Sequence, residues 1–152
     1  MRAILLIDHG SVRPEANHML ACMANLVQTM VGPEMIVRHA HMELAEPTID
    51  QGLRDCADAG ATDIVAFPYM LSPGKHSTRD IPRMVAESAA AFPHIQARVT
   101  PCFGVSERLA EVVLERAGMA PAAVESPALE CRGWSPDESE RACGAACRAL
   151  TC

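Results

Sequence analysis

The sequence predicts an α/β domain: an open, parallel, four-stranded sheet with helices on both faces, three layers deep. Three observations point to it. Short, largely apolar runs at 3–7, 64–67 and 97–100 have the length and continuity of strands covered on both faces. Between them lie longer stretches in which apolar residues recur every three or four positions, the period of a helix. The two patterns alternate along the chain, and right-handed crossovers between parallel neighbours accommodate that order with the strands at 3–7 and 64–67 in the centre.

Each element has its own signals. The first strand ends at His9-Gly10-Ser11. A helix begins at Pro14 with Ala16, Met19, Leu20, Met23, Val27 and Met30 on its apolar face, and Gly32-Pro33 stops it. Residues 35–42 form a second strand interrupted by Arg38, His39 and His41, a pattern that suits the sheet's edge. Pro47-Thr48 precedes a helix with Ile49, Leu53, Cys56 and Ala57 on one face and Gly60 past its end. After the third strand, Pro68 and Ser72-Pro73-Gly74 make 68–76 a loop and a candidate functional surface. Ser77 or Thr78 can cap the next helix, whose inner face is Ile81, Met84, Val85, Ser88 and Phe92. The fourth strand follows, then a helix from Ser106 with Leu109, Val112 and Val113 inward, ending near Gly118.

The 152 residues suit one domain with a short appendage, and 49% hydrophobic with 21% charged residues is a globular composition. The first apolar run is too short for a signal peptide or for the roughly 20 residues of a membrane span, so a cytoplasmic protein without membrane association is expected. A formal net charge of -6 argues against nonspecific nucleic-acid binding, which needs a basic face. In a reducing compartment the seven cysteines suggest free thiols, metal ligands or redox groups rather than a disulfide framework.

In open parallel sheets, ligands bind beyond the carboxyl ends of the strands, where the connections reverse direction. His9 follows the first strand, His41 and Glu43 the second, and the third-strand loop carries Tyr69, Lys75 and His76. Imidazole and carboxylate donors suit a divalent transition metal, and a set spread over three loops leaves coordination positions open. Singly, these residues have plainer readings. His9 can bond a carbonyl, His41 can lie on the exposed face of an edge strand, and Glu46 can face a helix dipole. Arg79, Asp80 and Arg83 can be a solvated helical face. Convergence of His9, Glu43 and His76 on one sheet edge is what favours function.

His9-Gly10-Ser11, Glu43-Leu44-Ala45-Glu46-Pro47 and Tyr69-Met70-Leu71-Ser72-Pro73-Gly74-Lys75-His76-Ser77, followed by Asp80-Ile81-Pro82, resemble the small sirohydrochlorin chelatases of the class II chelatase group (CbiX/SirB type). The resemblance covers residues 1–118, and its most specific element is Leu71-Ser72-Pro73-Gly74-Lys75-His76. It implies a single-lobed chelatase domain over 1–120 and a lyase that inserts Co2+, with Fe2+ next and Ni2+ in a related branch, into sirohydrochlorin for cobalamin or sirohaem synthesis. It further implies His9 and His76 as the paired metal-handling histidines, Glu43 as the acidic residue beside them, and a homodimer holding the macrocycle between facing lobes. The metal is then a substrate, and the pyrrole protons need a nearby base, which neutral imidazole can be.

A substrate with eight carboxylates would recruit Arg13, Lys75, Arg79 and Arg38, while Met42, Tyr69, Met70, Leu71 and Phe103 offer an apolar bed or, equally, core. Residues 121–152 read as a cysteine-containing extension with the only tryptophan, Trp134, and a short helix to about Leu150. Cys131, Cys143, Cys147 and Cys152 cluster there, whereas Cys22 and Cys56 are expected on inward helix faces. Cys143 and Cys147 would share one helical face, so an iron–sulfur cluster or second metal is one reading and free thiols another, because the spacing matches no common zinc or ferredoxin pattern. Two other functions remain: a metal carrier or tetrapyrrole-binding module without turnover, and a flavodoxin-like nucleotide binder. The second lacks a glycine-rich phosphate loop.

Overall fold

The structure is a computed structural model and describes residues 1–121. The elements run β1 (Arg2–Asp8), α1 (Pro14–Val31), β2 (Met35–His41), α2 (Ile49–Asp58), β3 (Asp63–Pro68), a π-helical turn (His76–Asp80) leading into α3 (Ile81–Ala89), β4 (Gln96–Val99) and α4 (Glu107–Arg116). The four strands make one parallel sheet in the order β2-β1-β3-β4. β1 and β3 are central and β2 is an edge, as the sequence predicts.

Both faces of the sheet are covered, which is why the central strands are continuously apolar. Ala3, Leu5, Ile7, Ile64 and Ala66 pack with Ile49, Leu53 and Cys56 of α2 and Ile81 and Val85 of α3. Leu6 and Val37 pack with Leu20 and Ala24 of α1 on the opposite face. Leu53 is fully buried, worth about 1.5–3 kcal/mol in transfer free energy. Burial pushes the Cys56 thiol up to about 12, so this cysteine is an inert core group.

Local chemistry sets the boundaries. Pro14 occupies the start of α1, and Gly32 at φ +78° ends it. Thr48 and Gln51 form a reciprocal capping box at the start of α2. Ser77 and Thr78, expected as caps, instead bond back to Gly74, because the chain is already helical there. Phe92 lies past the end of α3 but still packs on its core.

Several expected faces turn out differently. In α1, Ala16, Met19, Cys22 and Met30 are exposed rather than inward. At about 100° per residue, Met19 and Met30 lie a quarter turn or more from the Leu20–Ala24 line, and the sheet covers only one arc. In α4, no described side chain is buried, and Val112 and Val113 point to solvent. Among the described residues no helix is long and apolar enough to cross a membrane. The extension beyond residue 121, with Trp134, Cys131, Cys143, Cys147 and Cys152, lies outside the described residues.

Candidate active site

From β1 the chain passes to β2 on one side, then crosses back to β3 on the other. The carboxyl ends of β1 and β3 therefore flank a topological switch point, where the crevice of an open parallel sheet lies. His9 directly follows β1, and the loop after β3 brings His76 to the same place. Their ring centroids are 5.1 Å apart, edge to face at 71°. Glu43, two residues beyond β2, joins them: His9 Nε2 donates to Glu43 Oε1 at 2.8 Å.

The three segments are held by backbone contacts. Gly10 has φ +84°, and a Cβ there would stand 1.9 Å from the Glu43 carbonyl oxygen, so only glycine lets the two strand exits meet. Met42 N–H donates to Asp8 O at 2.8 Å and Glu43 N–H to His9 O at 3.1 Å, continuing the sheet's pairing past its end. The loop carrying His76 is tied from the other side, where Phe103 and Gly104 N–H donate to Met70 and Leu71 carbonyls at 3.0 and 2.9 Å.

His76 opens the π-helical turn, in which Ile81 N–H reaches back to His76 O. Its Nδ1 donates to Asp80 Oδ2 at 3.0 Å, which leaves Nε2 with its lone pair outward. Burial works against charge on Asp80, but hydrogen bonds from Arg79 and His76 outweigh it and hold the carboxyl below its usual range. About half of each imidazole remains exposed, 44% for His9 and 47% for His76. Among the described residues no three His, Cys, Asp or Glu side chains form a ready metal cage. The arrangement is two imidazoles on an open edge, each with one carboxylate partner.

The other expected site residues divide. Lys75 and Arg79 are exposed beside His76, and Arg13 is exposed at the start of α1. Leu71 is 70% exposed and projects from the loop. Met42 is buried in the core between sheet and α2, so it provides no bed for a ligand. Tyr69 and Met70 are half-buried, each packed against a core cluster, and Phe103 contacts both Phe67 and Tyr69 at 5.0 and 4.8 Å. Arg38 sits mid-strand opposite Leu5, away from the site. His41 is buried rather than exposed on the edge strand, and its Nδ1 donates to Asp8.

A separate cavity of about 510 Å³ opens between α1 and the segment after β2, lined in part by Asn17, His18, His39, His41 and Glu46. It does not include His9 or His76, which lie on open surface. Burial and the neighbouring His41 keep His39 below the usual histidine range, against the pull of Asp8 and Asp55. Sequence reasoning took Asp80 for a solvated face and missed Asp8. The four-residue spacing of His76 and Asp80 was a signal for the first, whereas the pairing of Asp8 with His41 follows from strand register, which only the folded sheet fixes.

Comparison with known proteins gives a consistent result. Residues 3–120 match the family described as CbiX. The chain is 38% identical, over 84% of its length and 56% of the other's, to sirohydrochlorin ferrochelatase, chloroplastic, of Arabidopsis thaliana. It is 31% identical to sirohydrochlorin cobaltochelatase of Methanosarcina barkeri over 74% of this chain and 92% of that one. The crystal structure of the sirohydrochlorin chelatase SirB from Bacillus subtilis subspecies spizizenii in complex with cobalt superposes with a TM-score of 0.70 at 30% identity, covering 77% of this chain and 50% of that one. The chain thus spans about half the length of the plant protein it matches.

Proposed function

The chain belongs to the CbiX family, and on that premise we propose that it is a lyase inserting a divalent metal ion into sirohydrochlorin. The observation that carries this reading is the His9–His76 pair, 5.1 Å apart on an open sheet edge. Insertion exchanges one dication for two pyrrole N–H protons, so the site must pass a weakly held metal and accept protons. The outward lone pair of His76 Nε2 serves either task. His9 and Glu43 form the second half: with Nδ1–H kept on the Gly10 carbonyl, the His9 imidazolium gives its Nε2 proton to Glu43, which leaves a neutral imidazole with an Nε2 lone pair for the metal, and the half-exposed carboxyl passes the proton to water.

Cobalt is the proposed ion and ferrous iron the next, since imidazole donors accept both of these first-row dications. Curated relatives named for cobalt and for iron both support the divalent class. Lys75, Arg79 and Arg13 are proposed to meet the substrate's carboxylates, and Leu71 its apolar face. A cytoplasmic homodimer with the macrocycle between facing lobes completes the proposal.

Anaerobic insertion assays with sirohydrochlorin and Co2+, Fe2+ or Ni2+ test it. His76→Ala should lower kcat by about 100-fold or more, and Asp80→Asn by about 10–100-fold through the orientation of His76. Wild-type turnover in His76→Ala would sink the assignment, and a single turnover per chain in the native protein would favour a carrier.

A further inference from the structure

Beneath the proposed metal edge lies a carboxylate–imidazole pair with no task in the chemistry above. His41, the last residue of β2, is 1% exposed, and its Nδ1 donates to Asp8 Oδ1 at 2.6 Å. The same oxygen accepts the backbone N–H of Gly10 at 2.9 Å. Asp8 and His41 are register partners on β1 and β2, one residue before His9 and two before Glu43. One carboxylate oxygen therefore ties the turn that carries His9 to the strand end that carries Glu43. His41 N–H is itself anchored to Pro47 O at 2.8 Å, so the strand end cannot slide freely. A Cβ on Gly10 would also come within 3.1 Å of His41 Cβ, which places the imidazole's backbone directly against the turn.

Burying an imidazole against a partly exposed carboxylate is often no better for stability than apolar packing of similar volume, whereas a satisfied polar network fixes one geometry. We propose that Asp8 and His41 are positioning residues that set the spacing of His9 and Glu43, and with it the geometry in which a divalent cation is received. The proposal rests on His9 handling the metal. It assigns His41 no contact with metal or macrocycle.

Two substitutions separate positioning from packing. His41→Leu keeps apolar volume and removes the donor, while His41→Asn presents an amide N–H where Nδ1 stands. Anaerobic titration with Co2+ alone, read by its visible absorption bands, gives affinity, and steady-state insertion gives kcat and KM. His41→Leu should weaken Co2+ binding and lower kcat about 10–100-fold, with KM for sirohydrochlorin within about twofold of wild type, and His41→Asn should restore most of both. Native Co2+ affinity and kcat in His41→Leu overturn the proposal, as does a loss confined to KM, or a His41→Asn protein no better than His41→Leu. Should His41→Leu fail to fold, His41→Gln takes its place with the same outcomes, since its amide reaches the Nε2 position and misses Asp8. His9→Ala is the control. If it inserts metal normally, the parent reading falls and takes this one with it; if it is inactive while His41→Leu is unimpaired, only the positioning role falls.

Discussion

Which ring nitrogen each imidazole leaves open decides what the site can do, and that choice is made by neighbours rather than by the histidines. Asp80 takes Nδ1 of His76, and Glu43 takes Nε2 of His9. His39, on the α1 face of β2, illustrates the opposite pressure: burial favours its neutral form. The unfolded chain takes up that proton near pH 6.5, the folded chain only at lower pH, so stability should be level above about pH 7 and fall as pH drops below about 6.5. Urea midpoints near neutrality and about two pH units lower should converge more closely for His39→Gln than for wild type, and equal losses in the two proteins would refute the assignment. His9, Glu43 and His76 were legible because polar residues at strand exits interrupt an apolar pattern. Asp8 and His41 were not, since their pairing depends on strand register, which periodicity leaves open. For Met42 the core reading holds and the ligand-bed reading does not, because the alternation of β2 continues through it and places it with Ala40 on the α2 side.

Among the elements, α2 lies close against the sheet at Gly52. A Cβ there would lie 2.9 Å from both Ala40 Cβ and Leu5 Cδ1, two fully buried neighbours. Overpacking costs about 1–3 kcal/mol, against roughly 1 kcal/mol that alanine gains over glycine in a helix. Gly52→Ala should therefore lower stability despite its better helix propensity, and a raised melting temperature would show that α2 can shift outward. Strand order and helix positions were readable because run length and period are local properties of the chain. The buried arc of α1 was harder: Met19, Leu20, Met23, Val27 and Met30 fit one apolar pattern, yet only a packed sheet decides which of them is covered. The π-helical turn at His76–Asp80 left no sign, because Ser77 and Thr78 look like caps whichever way the backbone winds.

At the scale of the whole molecule, two helices carry half of the exposed large apolar side chains among the described residues: Met19, Leu26, Met30 and Val31 of α1 and Val112 and Val113 of α4. A relative such as the plant protein is nearly twice the matched length, whereas the archaeal one is matched over 92% of its own. A second copy of this chain is the occupant proposed for the α4 face. Sedimentation should give twice the chain mass at micromolar concentration, and Val113→Glu should give the monomer with unchanged circular dichroism; a native monomer would count against the dimer. The proposed histidines and carboxylates all come from the ends of β1, β2 and β3 and the turn after them, at or before Asp80. Among the described residues, those C-terminal to that point contribute none of these groups. Exchange of the outer surface of α4 can therefore alter how the lobe associates while the reacting groups stay untouched.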